Sequence, residues 1–518
     1  MRFKAFFSKH IQTVTFVAVL FCIFLAMGSQ KDIWFGDEVL TFESANFDST
    51  EGLDEFESNG GAGVWMDGQE FTNRWSVTDN KLGFEIIKRD LYDDHVPLYF
   101  FLVNIVSFVV KGSCSKWIPL SINFFFACVA GLSLLKLLQK KWEGVATVLL
   151  TLSVAAHPVI VEQLTFARMY MMFSAILVLM LIFVNEDNLD RWKTTILLGI
   201  LITAGLLTHY YFWVFDGIFA AVMFVSLLIQ KKWMPAVRLV TANVEALALT
   251  TLLFPQWTYR IRGGNGATAL GNILSFEYVF EEVKEFVTVS ADMIAPGIGL
   301  LILVLMVAAF VAFVIKDKGK TRQLYLVVIS SVLFILFVIH TTPNGQVERY
   351  ILPAATVLMG VTAYVLLDLF HDKKIVLIVL SGILLAGSLV LGLNGNNIDY
   401  LTLRTKEERA VLYDKADVPW IAAGSMEEWR MTCVSYDFRI PKKIMLWNSQ
   451  VPVQDDEVLK NADEMVIYVR QESDTQNVIS WIMECRGQKF KGMEDSGFTL
   501  TKISLNYETD IYSLKILL

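Results

Sequence analysis

The chain has 518 residues, of which 54 % are hydrophobic and only 19 % charged, with a mean hydropathy of +0.50 and a formal net charge of −8. Apolar runs of about 18 residues or more recur along most of the length, which excludes an ordinary soluble domain and makes this a polytopic membrane protein. The negative balance argues against nucleic acid as a partner.

The N-terminal stretch MRFKAFFSKH is basic and precedes an apolar run over 11–29, too long for a signal-peptide core. An uncleaved helix with a cytoplasmic N-terminus is expected. It runs directly into WFGDEVL, so Asp37 and Glu38 stand where a membrane helix meets water. Carboxylates there are costly unless they have partners or a task. The competing reading is a solvated acidic loop, because ESANFDSTEGLDEFESNG continues in the same vein. Residues 30–96 form a polar first external loop, in which GVWMDGQEF and NRWSVTDNKLGFEIIKRDLY read as amphipathic helices along the interface. Further apolar runs follow at 97–111, 117–139, 144–160, 167–185, 193–210, 211–230, 236–254, 296–316, 322–340, 350–369 and 374–393, giving about twelve candidate segments with the first.

Basic hinges set the sidedness. Lys136 with Lys140 and Lys141, Lys231 with Lys232, Lys316 with Lys318, Lys320 and Arg322, and Lys373 with Lys374 are all placed in the cytoplasm. The external side then receives 161–168, 209–212, 255–295, 341–349 and everything after 394. Strict alternation fails by one crossing, and 97–111 is the shortest run, so a re-entrant or half-length segment is expected there or nearby.

The external face collects polar groups at helix mouths: Asp93, Asp94 and His95; Glu162, Arg168 and Tyr170; His209, Tyr210 and Tyr211; Arg260 and Arg262; Glu348, Arg349 and Tyr350. Singly, each is an interfacial aromatic or a snorkelling cation. Together, cations and acids on one face point to a site for a phosphorylated lipid beside a general base, since Arg reads phosphate with two prongs.

In that order the segments GDE, HVPLYFF, ARMYMMF, LTHYYF and ERYILPA resemble bacterial glycosyltransferase family 39, relatives of the protein O-mannosyltransferases and the lipid A aminoarabinose transferases within the GT-C superfamily. The resemblance covers residues 10 to 393, and its strength lies in the ordered set. Val96 stands where the family has the first Pro of its motif, and Val39-Leu40 where it often has an aromatic, which bears on acceptor fit. The fold implied is α-helical and polytopic, of GT-C type, with 1–393 as the transmembrane glycosyltransferase domain and 394–518 as a small extracytoplasmic α/β domain. The activity implied is inverting transfer of a sugar from a polyprenyl-phosphate donor to a glycan, lipid or protein acceptor, on the outer face of the plasma membrane.

Under that resemblance Asp37 takes the acceptor proton, and Glu38 orients the acceptor or holds a cation. Arg168, Arg349 and His209 meet the donor phosphate. His95, Tyr99, Tyr170, Tyr210 and Tyr350 line the cavity. A divalent cation is left open, as the sequence shows no dense Asp/Glu/His ligand cluster. In the tail, EMVIYVR and FTLTKISLNY read as strands and QNVISWIMECRG as a helix. Cys433 and Cys485 lie in this polar part, and their pairing stays open. Two other classes stay open. A lipid-linked oligosaccharide polymerase or ligase usually lacks an acidic pair at the first helix exit, and a secondary transporter would place its broken helices and charges near the midplane.

Overall fold

The computed structural model describes residues 2–31, 34–46, 62–68, 96–111, 115–183, 189, 191–257, 279–295, 297–318, 321–342, 347–401, 406–424, 440–469, 472–494, 497–506 and 509–517. The helices, in chain order, begin with α1 (Arg2–Gln30), α2 (Gly36–Asn46), α3 (Leu98–Val110), α4 (Trp117–Gln139), α5 (Val145–Ala155), α6 (Pro158–Thr165) and α7 (Tyr170–Phe183). They continue with α8 (Trp192–Leu206), α9 (Tyr210–Ile229), α10 (Trp233–Leu253), α11 (Val279–Ile294), α12 (Gly299–Asp317), α13 (Arg322–Thr341), α14 (Val347–Phe370) and α15 (Lys374–Gly392).

Among the described residues, eight helices are long and apolar enough to cross a membrane: α1, α4, α9, α10 and α12 to α15. The pair α5–α6 forms a further span bent by 54°, and α3, α7 and α8 are apolar but shorter. Among the described residues, each apolar run is helical, as one helix or, over 144–160, as two. At 1.5 Å per residue, α3 reaches only about 20 Å of the roughly 30 Å hydrocarbon core, in line with a half-length segment there.

The run expected over 144–160 as one piece is two helices, and the cause is Pro158. Its ring disfavours helical geometry in the preceding residue, and His157 is extended at φ −70°, ψ 145°. Pro158 then opens α6 at N1, where no N–H is needed. His157 Nδ1 caps the new helix by accepting the Val159 N–H at 3.3 Å. The end of α15 comes so close to this break that a Cβ on Gly392 would overlap the Ala156 carbonyl, so glycine is required there.

The chain divides into two units, the first made of Met1–Gly28, Asp90–Tyr99 and Pro119–Asp399, and the second of Ser29–Arg89, Phe100–Ile118 and Tyr400–Leu518. The first is the helical bundle. Its basic hinges meet in space: Lys141 Nζ lies 2.9 Å from Asp368 Oδ1 and Lys316 Nζ 3.5 Å from Asp368 Oδ2, joining the ends of α4, α12 and α14.

The second unit is built on a six-stranded mixed sheet of order β1-β3-β2-β4-β6-β5. Its strands are β1 (Trp65–Met66), β2 (Trp420–Ala423), β3 (Ile444–Trp447), β4 (Glu464–Val469), β5 (Phe498–Asn506) and β6 (Thr509–Ile516). The central parallel strands are apolar on both faces, as a sheet covered on both sides requires. One face packs Ile421, Met445 and Ile467 under Val478 and Ile482 of α18 (Glu472–Cys485). The other packs Trp420, Ile444 and Val466 with Leu412 of α16 (Lys406–Asp414).

Trp65 and Met66 were expected in an interfacial helix; they instead form an edge strand antiparallel to β3. Trp65 Nε1 donates to Asp456 Oδ2 at 2.7 Å, and Asp456 also caps α17 (Glu457–Asn461). The second amphipathic patch, 73–92, lies outside the described residues, as does Cys433, while Cys485 is a free, buried thiol.

Glu464 gives this unit an acid sensitivity. Burial pushes its pKa up, but hydrogen bonds from Lys415 and Ser513, with the Lys415 charge, more than offset that and hold it below the usual range. A depressed folded-state pKa means the unfolded chain binds the proton more readily. Stability from this group is therefore present above the ordinary Glu value of about 4.3 and is lost as pH falls through the lowered one. Glu464→Gln should flatten the acid limb of the pH–stability curve measured by thermal unfolding. An unchanged limb would show that the contact contributes nothing.

Candidate active site

In the bundle, four helix ends converge. Tyr170 opens α7, His209 caps α9, Thr342 closes α13, and Arg349 and Tyr350 lie in the first turn of α14. The Tyr170 ring stands 5.4 Å from His209 and 6.1 Å from Tyr350, and His209 stands 5.5 Å from Tyr350. Arg349, only 8 % exposed, holds its guanidinium 5.0 Å from the centre of the Tyr350 ring and donates from Nη2 to the Tyr350 hydroxyl at 3.1 Å. A buried guanidinium on an aromatic face is held in place as well as attracted. Pro353 cannot donate to the Arg349 carbonyl four residues back, so the first turn of α14 lacks one rung.

His209 Nδ1 accepts the Tyr211 N–H at 3.0 Å, which puts the proton of the neutral ring on Nε2. The histidine therefore offers a donor, the polarity an anionic ligand needs. Tyr211 completes the cluster, with its ring 4.7 Å from Tyr350 and its hydroxyl 2.5 Å from Thr342 Oγ1. Tyr210 turns away and packs on the small apolar cluster of Val96, Leu207 and Phe254. Both tyrosines were visible in THYYF. Consecutive helix positions point about 100° apart, so only one can face the site, and packing decides which.

Arg168, 5 % exposed, sits in the tight turn between α6 and α7, where its N–H donates to the Phe166 carbonyl at 2.7 Å. That turn is moored from below. Asn123 of α4 donates from Nδ2 to the carbonyls of Phe166 at 2.6 Å and Gln163 at 3.1 Å, and accepts from the Tyr99 hydroxyl at 2.9 Å. Gln163 Nε2 donates in turn to Thr356 Oγ1 of α14 at 2.9 Å, and its Oε1 accepts from Ser174 of α7. Fully satisfied buried networks of this kind fix one arrangement of helices. Tyr99, expected as a cavity wall, is a buried member of this mooring. Glu162 accepts the Asp399 N–H at 2.9 Å. His95, Asp93, Asp94, Arg260 and Arg262 lie outside the described residues.

The acidic pair belongs to the second unit, and the structure separates its two members. Glu38 is the N3 residue of α2; its Oε2 accepts the Phe35 N–H at 2.7 Å, as in a capping box. The same carboxylate pairs with Lys31 at 2.8 Å, both side chains 0 % exposed. Lys116 donates to the carbonyls of Ser29 and Lys31, tying the end of α1 to the same corner. Glu38 is thus committed to fixing α2, while Asp37 beside it is only half-buried. Lys31 and Lys116 were not expected here, and nothing in their spacing announces the pairing. Among the described residues, no group of three or more His, Cys, Asp or Glu side chains is arranged to hold a metal ion.

An ArnT from Cupriavidus metallidurans in the apo state, a lipid A aminoarabinose transferase, matches with a TM-score of 0.50 at 10 % identity, covering 98 % of this chain and 98 % of that one. The chain has the GT-C fold. The same ArnT bound to undecaprenyl phosphate gives 0.49 at 10 % identity over 96 % of this chain and 97 % of that one. An oligosaccharyltransferase from Archaeoglobus fulgidus, tethered to an acceptor peptide with an NVT sequon, gives 0.43 at 12 % identity over 91 % and 71 %. No family model and no curated protein sequence matches.

Proposed function

We propose that the chain is a membrane glycosyltransferase that moves a sugar from a polyprenyl-phosphate donor to an acceptor hydroxyl by inverting single displacement. The observation that carries this reading is the buried Arg349–Tyr350–His209–Tyr170 cluster at one end of a GT-C bundle, a cationic and aromatic lining matched to a lipid phosphate. In the reaction the acceptor oxygen attacks the anomeric carbon. The bond from that carbon to the phosphate oxygen breaks, and its electron pair stays on the lipid phosphate. Arg349, Arg168 and the His209 Nε2–H meet the growing phosphate charge. Asp37 takes the hydroxyl proton, and Glu38 holds the helix that bears it. The transporter reading fits less well, because these charges stand at helix ends rather than at the midplane. The test is release of polyprenyl phosphate from a purified lipid-linked sugar, dependent on acceptor. Purified protein that turns over no such donor, while other envelope transferases do so in parallel, rejects the reading.

The active face is assigned to the extracytoplasmic side. Arg349 and Asp368 lie at opposite ends of α14, about 28 Å apart at 1.5 Å per residue, and the Asp368 end carries the basic hinges. In a cysteine-free background, Gln450→Cys should react with an impermeant maleimide on intact cells and Lys140→Cys only after lysis. The reverse pattern would invert the topology.

A further inference from the structure

The bundle holds an apolar cavity of about 160 Å³, lined among others by Ala130, Leu134, Val178, Val357, Gly360 and Tyr364. Along α14 its wall runs from Thr356, near the middle of the helix, to Tyr364. Its lining is mostly aliphatic, with Thr151, Thr321, Gln323 and Thr356 among it, so most of the wall suits hydrocarbon rather than a polar group. Tyr364 belongs to a second feature as well. Lys141 Nζ donates to its hydroxyl at 3.1 Å and lies 5.1 Å from its ring centre. Beside it, Lys141 and Lys316 share the one carboxylate of Asp368, at 2.9 and 3.5 Å. Asp317 accepts from the Thr321 N–H and the Tyr325 hydroxyl, each at 2.7 Å, and lies within range of the Lys141 charge. At this end Lys141 and Lys316, with the exposed Lys140, Lys318, Lys373 and Lys374 at the ends of the same helices, outnumber Glu143, Asp317, Asp368 and Asp372, so an excess positive charge stands at the mouth of a hydrocarbon-lined space.

We propose that this groove binds an anionic phospholipid of the bilayer, an acyl chain in the cavity against Tyr364 and the phosphate on Lys141 and Lys316. A neutral phospholipid fills the cavity equally but leaves the charge unmatched, so the headgroup decides. The site stands at the opposite end of α14 from the Arg349 cluster and is independent of the transferase reading.

The experiment uses the full-length protein in detergent, with phosphatidylglycerol or phosphatidylcholine added, read by native mass spectrometry and by the thermal unfolding midpoint. Phosphatidylglycerol should be retained and raise the midpoint, and phosphatidylcholine should do neither. Lys141→Gln or Lys316→Gln should weaken retention about fivefold each, a lysine near a lipid surface contributing about 1 kcal/mol. Ala130→Phe should abolish retention by filling the cavity. Asp368→Asn decides between a lipid site and a merely structural triad. It takes the shared carboxylate from both lysines, leaving Lys316 its bond to the Asp368 carbonyl and Lys141 its bond to Tyr364, so phosphatidylglycerol should bind more tightly, whereas a structural triad would be weakened without gain in binding. Equal retention of the two lipids, weaker binding by Asp368→Asn, or displacement of phosphatidylglycerol by undecaprenyl phosphate would each overturn the proposal.

Discussion

Asp37→Asn should lower turnover by about 10²–10⁴-fold, the range for removing a positioned general base, while folding and donor binding stay near the parent. The substitution keeps the side chain's shape, and the Lys31 ion pair and the bond from the Phe35 N–H that fix α2 are made by Glu38. Glu38→Gln should behave in the opposite way. It leaves Lys31 charged and without its carboxylate in a fully buried place, a loss of roughly 3–5 kcal/mol in stability. Turnover and thermal unfolding measured side by side separate the two carboxylates. An Asn variant at position 37 with near-normal turnover on purified donor and acceptor would move the base elsewhere. A Gln variant at position 38 as stable as the parent would deny the ion pair its structural role.

Arg349→Ala should raise the activation barrier by about 2.7–4 kcal/mol, the magnitude found when one preorganised donor to a developing anion is removed. The phosphate becomes a fuller anion as the sugar departs, so turnover should fall far more than donor affinity. Arg349→Lys keeps the charge but loses both the fork and the flat face that lies on Tyr350, and should recover only part of the loss. Tyr350→Phe removes only the hydroxyl that accepts from Nη2 and should have a smaller effect in the same direction. Arg168 is held in place by the turn that Asn123 moors, so Arg168→Ala should resemble Arg349→Ala. Ala variants with full turnover would reduce both arginines to interfacial anchors. Lys variants equal to the parent would mean that a diffuse positive field is enough.

The residues carrying each prediction differ in how legible they were. WFGDEVL marked the acidic corner, but it could not say which carboxylate is structural. That depends on Lys31 and Lys116 folding back onto the end of α1, and ion pairs through space leave no spacing to read. ERYILPA and THYYF marked a cation and aromatics at helix mouths. Which aromatic turns inward was left to packing, because adjacent helical positions point in different directions.

Sequence by itself determined the membrane architecture, since an apolar run in a bilayer must form a helix to satisfy its own backbone. All the apolar runs from 11–29 to 374–393 became helices, and Pro158 already contained the cause of the one bent span. It also determined β4, β5 and α18, whose apolar periodicities are long enough to read. Only the tertiary structure decided the rest. Two residues, Trp65 and Met66, are too short a segment to carry a period, and they become a strand because the β3 edge supplies their partners. The short strands β2 and β3 are apolar on every residue, so no alternation marks them. The placing of α7 and α14 rests on the Asn123–Gln163–Thr356–Ser174 network, and that of α9 and α13 on the contacts of His209, Tyr211 and Thr342; these are each unremarkable residues of an apolar run until the helices bring them together.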